Sequence, residues 1–408
     1  MEYIELKEYN FLERKDEETS QEFVRVIFKK YYYFDIPKQE ISELSENELD
    51  IKSNKIGFKN VDKIEKKFYN LLDKYQRNNL THALNQKSTI FIDKDSGIPL
   101  IGTNEFGIID RNTSILEIKP LTGCNYSCIF CSVDEGKNKK SYDYLVDCDY
   151  LIEEVEKVAS LKRHPVEINI GPQGEPLLYP DIIQLIKKLK EIKNIYFVSM
   201  NSNGSVLTKE LIDELKEAGL GRLNLSLNAI DEDVEEKLIC TKTNIKKILE
   251  MAEYAKDKFQ VMLAPVLIPT LNENQVDKLI EVALKLKKIF PHIGIQNYLE
   301  YKGGRTPVKE WSFDKFYAFL KKYEEKHGIR LKLAPEDFNI FPDKTLDKPF
   351  EKDATIKAQI KCHGRKKNEV IAVAEGRCIT IKGSHLDKGH VRVKIVRDKH
   401  NIFNGILI

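Results

Sequence analysis

Residues 121–136, LTGCNYSCIFCSVDEG, place Cys124, Cys128 and Cys131 on one short stretch of a 408-residue chain that holds seven cysteines in all. The spacing is C-x3-C-x2-C, and no cysteine precedes Cys124. An odd, unevenly placed set argues against a disulfide framework and for metal or thiolate chemistry. A structural zinc site normally takes four ligands, usually from paired C-x2-C knuckles, and no second pair lies nearby. Three thiolates on one loop suit a [4Fe–4S] cluster that keeps one iron free of protein ligands. That iron would be open to a substrate or cofactor.

The text around the loop sets the fold. SILEIKP (residues 114–120) reads as a strand running into the cysteines, and YLIEEVEKVASL (150–161) as the helix that follows. The alternation continues. Strand candidates start at Val166, Asn194, Arg222, Gln260 and Ile293, each followed by an amphipathic helical stretch, the last being SFDKFYAFLKKYEEKHG (312–328). Near-continuous apolar strands alternating with amphipathic helices predict an α/β fold with a parallel sheet covered by helices. Right-handed crossovers curl such a sheet, and six units rather than eight predict an open, partial (β/α)6 barrel. Loops at the carboxyl ends of barrel strands carry active sites, which is where the cysteine loop falls.

With its cysteine loop after the first strand and Phe130 directly before the third cysteine, the chain resembles the radical S-adenosylmethionine (SAM) superfamily over roughly residues 114–333. The resemblance implies that Cys124, Cys128 and Cys131 bind one [4Fe–4S] cluster. It also implies that the open iron chelates SAM and that one electron, from a donor such as ferredoxin or flavodoxin, yields a 5′-deoxyadenosyl radical. GPQGEP (171–176) resembles the family's glycine–glutamate motif, with Gln173 where a second glycine is common. Gly174 would let the backbone approach, and Glu175 would accept from the SAM ammonium. Asn203 in NSNG, and Ser226 and Asn228 after the fourth strand, are further candidate cofactor contacts. Each has a plain structural alternative as a turn or strand polar group, and Phe130 as a core residue.

The remaining cysteines sort the family further. Methylthiotransferases carry three more cysteines in an N-terminal domain, and this chain has none there. Cys148 and Cys240 lie on expected helices and read as packing residues. Cys362, in KCHGR beside Lys361 and Arg365, has neighbours that would favour a thiolate. By resemblance to RNA adenine methylases it is a candidate methyl carrier, with Cys378 or Cys148 as helper; the alternative is a buried strand cysteine.

Hydrophobic residues make up 41% of the chain, enough to fill a core, and the formal net charge is only +2. The charge is uneven: residues 357–408 hold twelve Lys and Arg against four acids, a net of +8. In the same region NEVIAVAEGRCITIKG and KGHVRVKIV alternate apolar and polar residues, which predicts a small all-β barrel of about five strands. It resembles a TRAM or oligonucleotide-binding module. The resemblance implies a tRNA partner, with Lys366, Lys367, Arg377, Lys382, Arg392, Lys394 and Arg397 along phosphates. A solvated basic face is the alternative.

Three regions are therefore expected: an accessory N-terminal α+β region at 1–110, the radical SAM core at 111–340, and a linker plus basic barrel at 341–408. No apolar run approaches the roughly 20 residues of a membrane helix. The N-terminus lacks a signal-peptide centre, so the cytoplasm is expected. The functional expectation is a tRNA-modifying radical SAM enzyme, C-methylation foremost, with N6-threonylcarbamoyladenosine beside the anticodon as one candidate target. The alternatives are a maturase acting on a protein or peptide side chain, or an iron–sulfur carrier or RNA-binding protein without catalysis.

Overall fold

The computed structural model describes every residue except 46–47, 135–141, 172 and 288–289. The chain divides into two compact units, Met1–Ile92 with Ser141–Leu145, and Asp93–Lys140 with Val146–Ile408.

The first unit packs antiparallel sheet against one long helix. EFVRVIFKKYYYF (residues 22–34) folds into a hairpin: Glu22–Phe28 pairs with Tyr32–Pro37, and Lys29 and Lys30 turn it at positive φ. The helix Val61–Asn79 starts where the Asn60 side chain accepts from Lys63 N at 3.3 Å. It buries Ile64, Phe68 and Leu72, with Phe68 edge-on to Phe58. That apolar spacing of four residues keeps one face of the helix on the sheet.

The second unit holds the expected partial barrel. Its strands, numbered from its own start, are β1 (Gly107–Asp110), β2 (Ile115–Lys119), β3 (Val166–Ile170), β4 (Ile195–Ser202), β5 (Arg222–Leu225), β6 (Gln260–Leu263), β7 (Val266–Leu267) and β8 (Gln296–Asn297). Helices α1 (Cys148–Ser160), α2 (Ile182–Glu191), α3 (Lys209–Ala218), α4 (Glu232–Ile239), α5 (Ile245–Ala255), α6 (Val276–Leu286) and α7 (Phe313–His327) intervene. One sheet runs β6-β5-β4-β3-β2-β1, parallel from β2 to β6, with β1 added antiparallel. The sixth unit continues it through the short parallel pair β7-β8 and a bridge between Leu263 and Ile293. Helix starts are locally specified: Asp147, Thr208, Asp231, Asn244 and Ser312 each cap a helix through the side chain.

The strands are not apolar throughout. Ile168, Val198, Met200, Leu223 and Leu225 are fully buried, but between them Glu167, Asn169, Ser199, Arg222 and Asn224 are buried too. Those polar groups close a ring. Ser199 Oγ donates to Glu167 at 2.6 Å, and Asn169 Nδ2 to Ser199 at 2.9 Å. Asn169 and Asn201 exchange contacts at 3.4 Å, and Asn224 Nδ2 donates to Asn201 at 2.8 Å. Arg222 donates to both Asn224 and Glu167. A fully connected network of this kind satisfies groups that would otherwise be costly to bury.

The C-terminal module is a closed barrel in the order β9-β10-β11-β13-β12: β9 (Thr355–His363), β10 (Glu369–Ala374), β11 (Arg377–Lys382), β12 (Gly389–Arg397) and β13 (Asn404–Leu407). Its first strand begins seven residues before Cys362, inside the stretch expected to be linker. Ile360, Ala372, Ile379, Ile381, Val393, Ile395 and Phe403 fill it, and Phe350 closes it edge-on to Phe403 at 5.2 Å. The barrel is fastened to the core by backbone hydrogen bonds at 2.8 Å, Cys378 N to Ile101 O and Phe403 N to Gly102 O. Gly102 must be glycine: its φ is +125°, and a Cβ would stand 2.2 Å from Cys378 O. Among the described residues no helix is long and apolar enough to cross a membrane.

Candidate functional site

A cavity of about 330 Å3 opens at the carboxyl ends of the parallel strands. Cys124, Cys128 and Cys131 all line it, and so do Phe130, Gly174, Glu175, Asn203, Ser226 and Asn228. The cluster and cofactor candidates named from sequence therefore meet in one place, from the ends of four successive parallel strands. Phe130 serves both readings, because it also packs against the buried set Leu238, Ile268 and Tyr298.

The cysteine loop is held from outside itself. Arg305 Nη1 donates to the carbonyls of Ser127 and Cys128, its Nε donates to Asp134 at 2.6 Å, and its own backbone N–H donates to Cys131 O at 2.9 Å. Ser127 N and Ile129 N donate to Ile239 O and Leu238 O at the end of α4. Three thiols on one loop, with backbone carbonyls already taken, are the donor set a cluster needs. Among the described residues no three Cys, His, Asp or Glu stand close enough to share a single metal ion. A cubane binds each thiolate through a different iron, so its sulfurs stand farther apart than ligands of one ion. The donor set of the loop fits such a cluster. Burial pushes the Cys128 thiol up, with Cys131 and Glu235 adding to it, so thiolate formation waits on metal.

Gly174 and Glu175 act first on the protein. Gly174 has φ +66°, and a Cβ there would sit 2.4 Å from Gly123 O, at the root of the cysteine loop. Glu175 N donates to that same carbonyl at 2.9 Å. The buried carboxylate accepts from Ser202 Oγ (2.7 Å), Asn203 N (2.8 Å) and Leu177 N (3.1 Å). The motif after β3 thus clamps the loops after β2 and β4 together. Burial raises the Glu175 carboxyl above its ordinary range, and these donors oppose the rise. Asn203 Nδ2 donates to Asn125 at 2.9 Å and lies 3.9 Å from Cys124 Sγ. Asn228 N and Nδ2 donate to Glu235, whose carboxyl burial lifts to about 7.

Arg305, Glu235 and Asn297 were not singled out from sequence. Asn297 lines the cavity, donates to Trp311 O at 2.9 Å, and leaves a buried Oδ1 without a hydrogen-bond partner among the described residues. The two glycines preceding Arg305 were the available signal. Gly304 has room for no Cβ beside Ser132 O (2.7 Å) and Cys131 O (2.9 Å).

Cys362 and Cys378 are placed differently from expectation, since neither lines the cavity. Burial pushes the Cys362 thiol up to about 12, against the thiolate that Lys361 and Arg365 were expected to favour. Cys378 is fully buried and donates to Pro99 O at 3.1 Å, where the barrel meets the core. Cys148 is buried at the start of α1, but Cys240 is exposed and so is no packing residue.

The basic residues of the barrel also divide. Lys367, Lys382 and Arg392 are exposed. Lys366 reaches toward the cavity mouth, its Nζ 2.9 Å from where a Cβ on Gly303 would stand. Lys394 pairs with Asp353 at 3.0 Å. Arg377 donates to the carbonyls of Gly376 and Asp347, and Arg397 to Ile402 O, so both are spent on loops that cap the barrel rather than turned outward.

Comparison with known proteins adds to this geometry. The family model described as the Radical SAM superfamily matches residues 118–283. "Uncharacterized protein MJ0103" of Methanocaldococcus jannaschii is 39% identical over 381 residues, spanning 86% of this chain and 88% of its own length. A GTP 3′,8-cyclase of Aquifex aeolicus is 28% identical over 311 residues, covering 73% of this chain and 90% of the cyclase. Among solved structures, Streptococcus suis SuiB bound to S-adenosylmethionine aligns over 81% of this chain and 72% of its own, at 15% identity and a TM-score of 0.44.

Proposed function

The chain belongs to the radical SAM superfamily, and on that premise we propose that it modifies tRNA, C-methylation being the preferred outcome. When bound, the cluster and SAM would supply radical chemistry able to take hydrogen from an unactivated carbon. The protein's part is to hold, orient and keep water out. Cys124, Cys128 and Cys131 are the proposed cluster ligands. Glu175, Asn203, Ser226 and Asn228 ring the space for SAM, with Asn297 offering one unpaired acceptor. A ferredoxin or flavodoxin is the proposed reductant.

The observation that carries the RNA assignment is the closed basic barrel fastened beside the cavity, with Lys366 at Gly303 and Gly304 seated on the cysteine loop. A polyanion tracked along Lys367, Lys382 and Arg392 would be led to that mouth. The Aquifex relative is a GTP 3′,8-cyclase, which concerns a purine nucleotide and accords with a nucleoside at the radical centre. N6-threonylcarbamoyladenosine beside the anticodon is the specific candidate. The full burial of Cys378, and the protonated thiol that desolvation keeps on part-buried Cys362, argue against a methyl group travelling through either sulfur.

Two measurements test the proposal. Anaerobically reconstituted protein with reductant should form 5′-deoxyadenosine from SAM, and Cys128→Ala should abolish it. Mass spectrometry of tRNA nucleosides from a deletion strain should show one modified nucleoside missing. An unchanged nucleoside profile overturns the RNA reading and leaves the SAM chemistry standing.

A further inference from the structure

A second cavity, of about 860 Å3, opens at the opposite end of the same strands. Its wall takes the first residues of β3 to β6 and the segment Pro335–Phe338. Arg222 lines it and is only 8% exposed. Its guanidinium carbon lies 5.3 Å from the ring centres of both Phe197 and Phe338. Nε is spent on Asn224 and Nη2 on Glu167, while Nη1 has no hydrogen-bond partner among the described residues. Lys287 lines the same cavity, half-buried, and its ammonium has no partner among the described residues either. Burial, and then the charge of Arg222, lower Lys287 to about 8.

The other charges on this wall cancel. Lys256 pairs with Glu253, Lys258 with Asp213 and Asp337 with Arg330, and Lys285 and Asp257 are exposed opposites. Arg222 is itself ion-paired with Glu167, which also lines the wall, so what remains inside is the open Nη1 edge of that guanidinium and the Lys287 ammonium. An unpaired ammonium beside that open guanidinium edge, in a recessed, aromatic-walled space, is costly unless an anion joins it. A guanidinium and an ammonium together suit phosphate or carboxylate oxygens, and the volume falls within the roughly 300–1,000 Å3 of small-molecule sites.

We propose that this cavity binds a ring-bearing oxyanion of nucleoside monophosphate size, its oxygens on Arg222 Nη1 and Lys287 Nζ and its ring against Tyr196, Phe197 and Phe338. The site is separate from the cysteine cavity. The ring of hydrogen bonds through Glu167, Ser199, Asn169, Asn201 and Asn224 lies between them, so a ligand below does not compete with SAM above.

Calorimetric titration of the full chain with adenosine 5′-monophosphate, inorganic phosphate and adenosine tests this. The monophosphate should bind at least about tenfold tighter than either fragment, because both the charge and the ring contribute. Lys287→Gln and Phe338→Ala should each weaken it by about tenfold, the scale of one charge-assisted hydrogen bond or one stacked ring, with SAM binding in the same assay unchanged. Absence of monophosphate binding, binding that survives both substitutions, or displacement by SAM overturns the assignment.

Discussion

Glu235 holds a proton near neutrality because burial outweighs the hydrogen bonds from Asn228, lifting its carboxyl from 4.5 to about 7. The folded state therefore binds that proton more tightly than the unfolded chain does. The resulting stabilisation is complete below pH 4.5 and is lost as pH rises through about 7. Glu235→Gln has nothing to titrate. Between pH 5 and pH 8 the urea midpoint of the wild type should fall relative to that of the variant, by at most about 3 kcal/mol for a shift of this size. Parallel pH profiles for the two proteins would show that Glu235 is ionised throughout. The Cys362 thiol, pushed up to about 12, should resist iodoacetamide at pH 8 while exposed Cys240 reacts. Peptide mapping of the native, cluster-free protein reads this directly, and rapid labelling of Cys362 would restore it as a nucleophile.

The elements around the cavity differ in how far their sequence announces them. The cysteine triplet is local, and the fit of three thiols to a cluster follows from spacing alone. The helices are just as open, since caps such as Asp147 and Ser312 precede amphipathic runs. Strand interiors are not. VEINI and RLNL were read as nearly apolar, yet their alternation puts Glu167, Asn169, Arg222 and Asn224 inside the barrel. A polar residue in a strand reads as solvent-facing until the topology brings its partners from two other strands. Arg305 was hidden for the same reason, lying 171 positions along the chain from Asp134. Arg305→Leu strands two carbonyls and a carboxylate that the guanidinium served, a loss of about 2–4 kcal/mol for a part-buried, charge-assisted cluster of bonds. The loop should then hold less iron after anaerobic reconstitution, while Arg305→Lys recovers part of it. Gly174→Ala should act on the same readout from the other side. Its Cβ meets Gly123 O at 2.4 Å, which forces the root of the loop to move. Full iron content in both variants would mean the loop positions its thiols unaided.

At the scale of the molecule, the question is what the C-terminal barrel does for the core it is fastened to. Its composition foretold a basic β-barrel, but not which cations face solvent, because that depends on loops reaching back across the barrel ends. Arg377 and Arg397 cap carbonyls, and Lys394 has Asp353. On the proposed function, Lys366, Lys367, Lys382 and Arg392 are the cations that would meet phosphate. Each phosphate neutralised by a protein cation releases counterions, and the logarithm of affinity falls with the logarithm of salt by about 0.7–0.9 per contact. Replacing the four with alanine should therefore flatten the salt slope for bulk tRNA by about 3, at the same contact value, with SAM cleavage in the absence of RNA unchanged. Replacing Arg377 and Arg397 should leave the slope alone and lower the thermal midpoint, since their guanidinium groups hold the barrel closed. If instead the slope follows Arg377 and Arg397, the phosphate track runs along the barrel ends. If neither set moves it, the barrel is a stability module and the RNA must bind elsewhere. The distinction matters for chemistry because Lys366 Nζ lies against Gly303, beside the glycine seated on the cysteine loop, and its loss alone should lower turnover on tRNA more than it lowers affinity.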